Sequence, residues 1–131
     1  MQYIKHYYVD DTNGVFCCDP TEPKYKRHPW KEYPGLDVKV WLSDSEGVNV
    51  MLSELPDSTP VSTIVSPCGK NAIQVISEAE YQSVATPYFE AAVVSGEAQQ
   101  AKQDGDDTTA EAKETVASAK LAEATAAICA L

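Results

Sequence analysis

Four cysteines and two histidines are the side chains that could bind a metal ion or act as nucleophiles. Cys17 and Cys18 are adjacent, and His28 follows them. A structural zinc site needs cysteines a few residues apart, so that both thiolates reach one ion. Adjacent cysteines on a strand point to opposite faces, and nothing identifies a third group that would orient a Cys–His pair. We therefore predict reduced thiols, no metal, no cofactor and no enzymatic activity.

Two other segments superficially resemble ligand sites. Residues 104–107 (DGDD), followed by Glu111 and Glu114, suggest a calcium loop, but the carboxylates lack the spacing of an EF-hand. Gly69 and Lys70 lack the upstream glycine and the following hydroxyl residue of a phosphate-binding loop. We interpret the acidic segment as a solvated turn that precedes a helix.

One stretch, residues 24–33 (KYKRHPWKEY), combines cations with aromatic rings. Such a stretch can pack onto its own sheet, stack on single-stranded nucleic acid or sugars, or dock on a neighbouring subunit. Its flanking prolines would lower the entropy cost of ordering a docking arm. The candidate interface residues in this arm are Tyr25, Arg27, Trp30 and Tyr33.

The net charge of −10 limits the partners of the chain. Nucleic-acid affinity comes mainly from Lys and Arg on phosphates, and anionic membranes attract basic segments, so we expect neither partner. No apolar run approaches the ~20 residues that span a bilayer, and the N-terminal residues MQYIKHYYVDD do not resemble a signal peptide. We expect a protein made in the cytoplasm that contacts other proteins or copies of itself.

Composition changes near residue 77 and predicts two regions. Seven of the eight prolines precede it, whereas 13 of the last 41 residues are alanine. Strand-forming residues dominate the first part and helix-forming residues the second. The predicted fold is α+β, with a β-rich domain over residues 1–76 and a helical region over 77–131 that ends in an alanine-rich hairpin.

Within the first region, residues 2–9 read as a strand, and residues 37–43 and 48–55 as a hairpin. Val38, Val40 and Leu42 alternate with polar or aromatic neighbours, as in a strand with one buried face. A second hairpin is predicted from residues 61–65 and 72–76. Residues 19–36 hold four prolines and are predicted to form an extended arm.

Helix signals define the second region. Ser77 and Glu80 form a capping box, Thr86-Pro87 predicts the start of a new helix, and Thr108 with Glu111 predicts a second capping box. In the last helix Ala117, Leu121, Ala124, Ile128 and Leu131 follow a heptad pattern. This seam pairs either within the chain or between chains. Its members Leu121, Ala124, Ile128 and Leu131 complete the candidate interface residues.

The runs WLSDSEGVNVMLSELPDSTPV and ISEAEYQSVATPYFEAA resemble small structural or tail-associated proteins of tailed bacteriophages, over about residues 37–92. In those proteins a short β region precedes a helical tail. The resemblance transfers no functional residue. It implies a virion component that works by contact with its neighbours and without catalysis.

The leading functional hypothesis is therefore a non-enzymatic structural subunit of a larger assembly, such as a phage tail, baseplate, fibre adaptor or head decoration. One alternative is an assembly chaperone or adaptor that binds another structural protein transiently. A small thiol-dependent enzyme or a ligand-binding module is a further alternative.

Overall fold

A computed structural model describes residues 1–9, 14–16, 28–29, 35–43, 49–61, 64–65 and 71–131. The predicted α+β class is confirmed, because an antiparallel sheet precedes two helices. The chain divides into two compact units, Met1–Tyr81 and Gln82–Leu131. The strands are β1 (Gln2–Val9), β2 (Gly14–Phe16), β3 (His28–Pro29), β4 (Asp37–Ser43), β5 (Asn49–Leu55), β6 (Ile64–Val65) and β7 (Asn71–Ile76), and the helices are α1 (Glu78–Gln103) and α2 (Asp107–Cys129).

Strand β1 is the centre of the sheet. It pairs with β5 and β7, while β4 continues the sheet beyond β5 and β6 beyond β7. The end of β1 pairs with β2, which pairs with β3. The arm predicted over residues 19–36 is described only at 28–29 and 35–36, and a short strand within it, β3, is a feature that its prolines did not predict.

The core of this sheet involves both faces of β5. Val50, Met51, Leu52 and Ser53 are consecutive residues and all are buried. Since neighbouring side chains of a strand point to opposite faces, both faces of β5 are covered. The large buried apolar side chains of the sheet are Ile4, Val40, Leu42, Val50, Met51, Leu52, Leu55, Ile73 and Ile76.

Two backbone features shape the sheet near the end of β5. A β-bulge lies between Val38 and Val40 of β4, so the pairing with β5 shifts there. Gly35, just before β4, has φ +81°, and an added Cβ would lie 3.1 Å from the Cγ of Pro56. Glycine is therefore required at this position by backbone conformation and by space.

Helix α1 begins with the predicted capping box, which is confirmed. The N–H of Ser77 donates to Oε1 of Glu80 at 2.9 Å, and the N–H of Glu80 donates to Oγ of Ser77 at 3.1 Å. The predicted restart at Thr86-Pro87 is wrong, because α1 is continuous and Pro87 lies inside it. Pro87 has no N–H to donate, so the helix loses one ladder hydrogen bond without ending.

Helix α2 is capped one turn earlier than predicted. Asp106, rather than Thr108, is the N-cap residue, and its Oδ1 accepts from the N–H of Thr109 at 3.1 Å. Gly105 lies in the turn between the helices with φ +78°. This left-handed conformation favours glycine and lets the chain reverse within a short turn.

Candidate functional site: the helical hairpin

Helices α1 and α2 form an antiparallel hairpin with defined register. Glu90 pairs with Lys120 at 2.9 Å, and Glu97 pairs with Lys113 at 3.6 Å. The two acids are seven residues apart on α1, and the two lysines are seven apart on α2, so each pair joins residues two helical turns from the next. These ion pairs indicate which residues of the two helices lie at the same level.

The seam between the helices is built mainly of alanine. A side chain as small as alanine lets two helices approach closely but removes little apolar area from water. Ile128 is the only large apolar side chain that is fully buried on α2. The buried alanines of the hairpin are Ala85, Ala91, Ala98, Ala101, Ala110 and Ala124.

One flank of the hairpin is ionic. Glu90 and Glu97 lie on it together with Lys113 and Lys120, and the register places Val94 and Val116 between the two pairs. The hydrogen bond from Lys120 to Glu90, followed by the negative charges of Glu90 and Glu123, raises the pKa of Lys120. This flank (the ionic flank) is therefore a row of alternating charge and valine.

The opposite flank contains no charged residue over about three turns of helix. Its ends differ: the ion pair between Lys102 and Glu114, at 3.1 Å, lies near the turn, and Tyr88 lies at the other end. From the helical period and the register, we define the uncharged flank as Tyr88, Ala92, Ser95 and Gln99 of α1 with Ser118, Leu121 and Thr125 of α2. All of these side chains are exposed or half-buried.

Large apolar side chains of the hairpin lie outside the seam. The exposed fractions are 42% for Phe89, 65% for Val93, 46% for Val116 and 43% for Leu121. The ring of Phe89 meets that of Tyr88 edge-on, with centroids 5.4 Å apart. The hairpin thus buries small side chains and leaves large ones in contact with solvent.

The seam residues predicted from sequence have different positions in the hairpin. Ala124 and Ile128 are fully buried, and Leu131 is half-buried. Leu121 has the right spacing but lies on the uncharged flank, since the alanines at the same depth bring the helices together without it. The other candidate interface residues, Tyr25, Arg27, Trp30 and Tyr33, lie outside the described residues, as do Cys17 and Cys18.

The sequence analysis missed the uncharged flank. Only Leu121 of its members was singled out, because a heptad search looks for apolar residues and passes over Ser95 and Ser118. A signal was present in the charges: Glu90 and Glu97, like Lys113 and Lys120, recur every seven residues. Charges that share one flank leave the other flank without them.

The sheet contains one buried polar pair, between His6 of β1 and Ser53 of β5. Nε2 of His6 lies 2.6 Å from Oγ of Ser53, and neither residue is exposed to solvent. A serine beside a histidine is the geometry of an activated nucleophile. Here both groups lie inside the sheet core, where a substrate has no access, so we assign the contact to the pairing of β1 with β5.

A second polar cluster secures the start of α1. The rings of Tyr3 and Tyr81 stack, with centroids 4.3 Å apart, and burial, reinforced by nearby carboxylates, raises the pKa of both hydroxyls. Lys39 pairs with Asp37 at 2.8 Å, and this hydrogen bond raises the pKa of Lys39. The tyrosines therefore stay protonated at neutral pH, and the cluster anchors the first turn of α1.

Comparisons with other proteins and searches for two kinds of site complete the description. The chain matches no protein-family model, no curated protein and no solved structure. Within the described residues, no three His, Cys, Asp or Glu side chains are grouped to hold a metal ion. Neither of the two helices combines the length and apolar character needed to cross a membrane.

Proposed function

We propose that this protein is a non-enzymatic structural subunit that works through protein–protein contacts made by its helical hairpin. The observation that carries the proposal is the exposure of Phe89, Val93, Val116 and Leu121 around a seam of alanine. A hairpin that had to be stable alone would place large apolar side chains between its helices. Exposed apolar side chains beside an under-filled seam are typical of a surface that a partner covers.

The charge of the hairpin supports a protein partner. Residues 82–131 carry eight acidic and three basic side chains, for a net charge of −5. Such a surface repels phosphate groups, so apolar contact with another protein is the favoured mode of binding. Among protein assemblies, the tailed-phage virion is our specific proposal, and it rests on the sequence resemblance over about residues 37–92.

The test follows the chain into particles. A tagged chain would be produced in infected host cells, and its copy number in purified virions would be measured by mass spectrometry. A triple variant, Phe89→Gln, Val93→Gln and Leu121→Gln, should keep its helix content and lose about tenfold or more of its incorporation, since three anchors are removed. The matched control, Gln82→Ala with Gln100→Ala and Thr115→Ala, changes exposed polar side chains and should be incorporated normally.

Each result has a definite meaning. Normal incorporation of the triple variant would overturn the hairpin as the contact surface. A wild-type chain that binds a structural protein in infected cells but is missing from finished virions would overturn the subunit proposal in favour of a transient chaperone or adaptor. A chain with neither association would contradict both.

A further inference from the structure

We propose that the uncharged flank is a self-pairing surface on which two copies of this chain meet through a two-fold axis. The inference rests on the proposed function, because it names the partner of one hairpin surface. It starts from the difference between the two flanks: one is filled by the pairs Glu90–Lys120 and Glu97–Lys113, and the other has no charge between Tyr88 and Gln99.

Electrostatics favours this flank for a second copy. Each chain carries a net charge of −10, so two copies repel each other over most of their surfaces. Contact at the ionic flank would also bring Glu90 and Glu97 near the same residues of the copy. The uncharged flank is the part of the hairpin where two copies can approach without placing like charges together.

The relief of the uncharged flank is complementary to itself. Tyr88 and Leu121 are its large side chains, and both lie at the level of the Glu90–Lys120 pair, near the open end of the hairpin. Ser95, Ser118 and Ala92 are its small side chains, and Ser95 lies closer to the turn. A two-fold axis through the middle of the flank would place the large side chains of one copy on the small side chains of the other.

The size of the flank predicts a weak dimer. Residues 88–99 span about 18 Å of helix, and two helices side by side are about 20 Å wide, so each copy offers about 360 Å². The total of about 700 Å² is below the roughly 1,000 Å² of a stable interface. We therefore expect a reversible dimer with a dissociation constant on the order of 0.1 mM, which repetition within an assembly would strengthen.

Sedimentation equilibrium of the full chain, in reducing buffer from about 10 µM to about 1 mM, tests this inference. The wild type should change reversibly from monomer to dimer. Ala92→Glu puts a carboxylate in the middle of the flank and should weaken the dimer about tenfold or more, since like charges then face each other. Ala112→Glu is the matched control: it adds the same charge to an exposed helical alanine away from the flank and should shift the dissociation constant less than about twofold.

Two further measurements separate the outcomes. Ser118→Glu changes the other helix of the same flank and should repeat the effect of Ala92→Glu, with circular dichroism confirming the helix content of each variant. Raising the salt concentration should strengthen the dimer, because it screens the repulsion between acidic copies. A wild type that stays monomeric at about 1 mM, or equal weakening by Ala92→Glu and Ala112→Glu, would overturn self-pairing. Loss of self-pairing with normal incorporation into virions would leave the proposed function standing and assign the flank to a different protein.

Discussion

The sheet and the hairpin of this protein bury different kinds of side chain. In the sheet, Ile4, Leu52 and Leu55 are inaccessible to solvent, and β5 is covered on both faces. In the hairpin, the buried side chains are mainly alanine, while Phe89 and Leu121 remain exposed. Because apolar stabilisation grows with the area removed from water, the sheet holds most of the internal stability and the hairpin keeps apolar area for contacts with other molecules.

The largest expected effect breaks the sheet side of this comparison. Leu52→Ala removes a fully buried side chain from the central part of the sheet and should lower the free energy of unfolding by about 3–4 kcal/mol, from lost burial and the cavity left behind. Both tryptophans fall within residues 1–81, and both helices lie almost wholly beyond them. Denaturation followed by tryptophan fluorescence should therefore show the loss.

A substitution in the seam provides the contrast. Ala98→Gly in α1 changes a buried residue of the hairpin and should cost about 1 kcal/mol, mainly through helix propensity. Its effect should appear in circular dichroism at the helical wavelength. If Ala98→Gly proved as costly as Leu52→Ala, the hairpin would be a second rigid core, and the contrast between the two units would be wrong.

Much of the sheet could be predicted because its signals are local. Alternation marks β4 exactly, and the serine and glutamate of the capping box mark the start of α1. The burial of both faces of β5 could not be predicted in this way, since Met51 and Ser53 look like the exposed side of an alternating strand. What covers a face depends on residues far along the chain, which a periodicity does not contain.

The errors in the helical region have the same origin. Pro87 predicts a helix start, yet α1 continues through it, because loss of a single hydrogen bond does not end a helix supported on both sides. The two flanks are a property of the register between α1 and α2. They became visible only when Glu90 and Glu97 were placed opposite Lys120 and Lys113.

A smaller effect is expected from the buried polar pair. Ser53→Ala removes the hydroxyl that contacts Nε2 of His6 inside the sheet and should destabilise the first unit by about 2 kcal/mol, the cost of leaving a buried polar group with one partner fewer. Tryptophan fluorescence during urea unfolding measures the change. Ser53→Thr keeps the hydroxyl and serves as the control for the contact. A stable Ser53→Ala variant would show that the pair does not hold β1 against β5.

The smallest effect sharpens the hairpin side and depends on pH. Hydrogen bonds from Thr109, first its side chain and then its backbone N–H, lower the pKa of Asp106 from its ordinary value of 3.8. A carboxylate whose pKa is lower in the folded state stabilises the fold above the unfolded pKa, and this contribution disappears as the pH falls through the folded pKa.

Asp106→Asn isolates this contribution, since asparagine caps a helix without titrating. The helical signal should be compared for the two proteins during thermal unfolding, at pH values from about 6 down to about 2. Other carboxylates titrate equally in both proteins, so the difference in melting temperature reports Asp106 alone. The wild type should lose stability relative to Asp106→Asn as the pH falls below about 4, because its cap loses the negative charge that favours a helix N-terminus. A constant difference across this range would show that the capping hydrogen bonds act without the charge, and the start of α2 would then owe its stability to geometry.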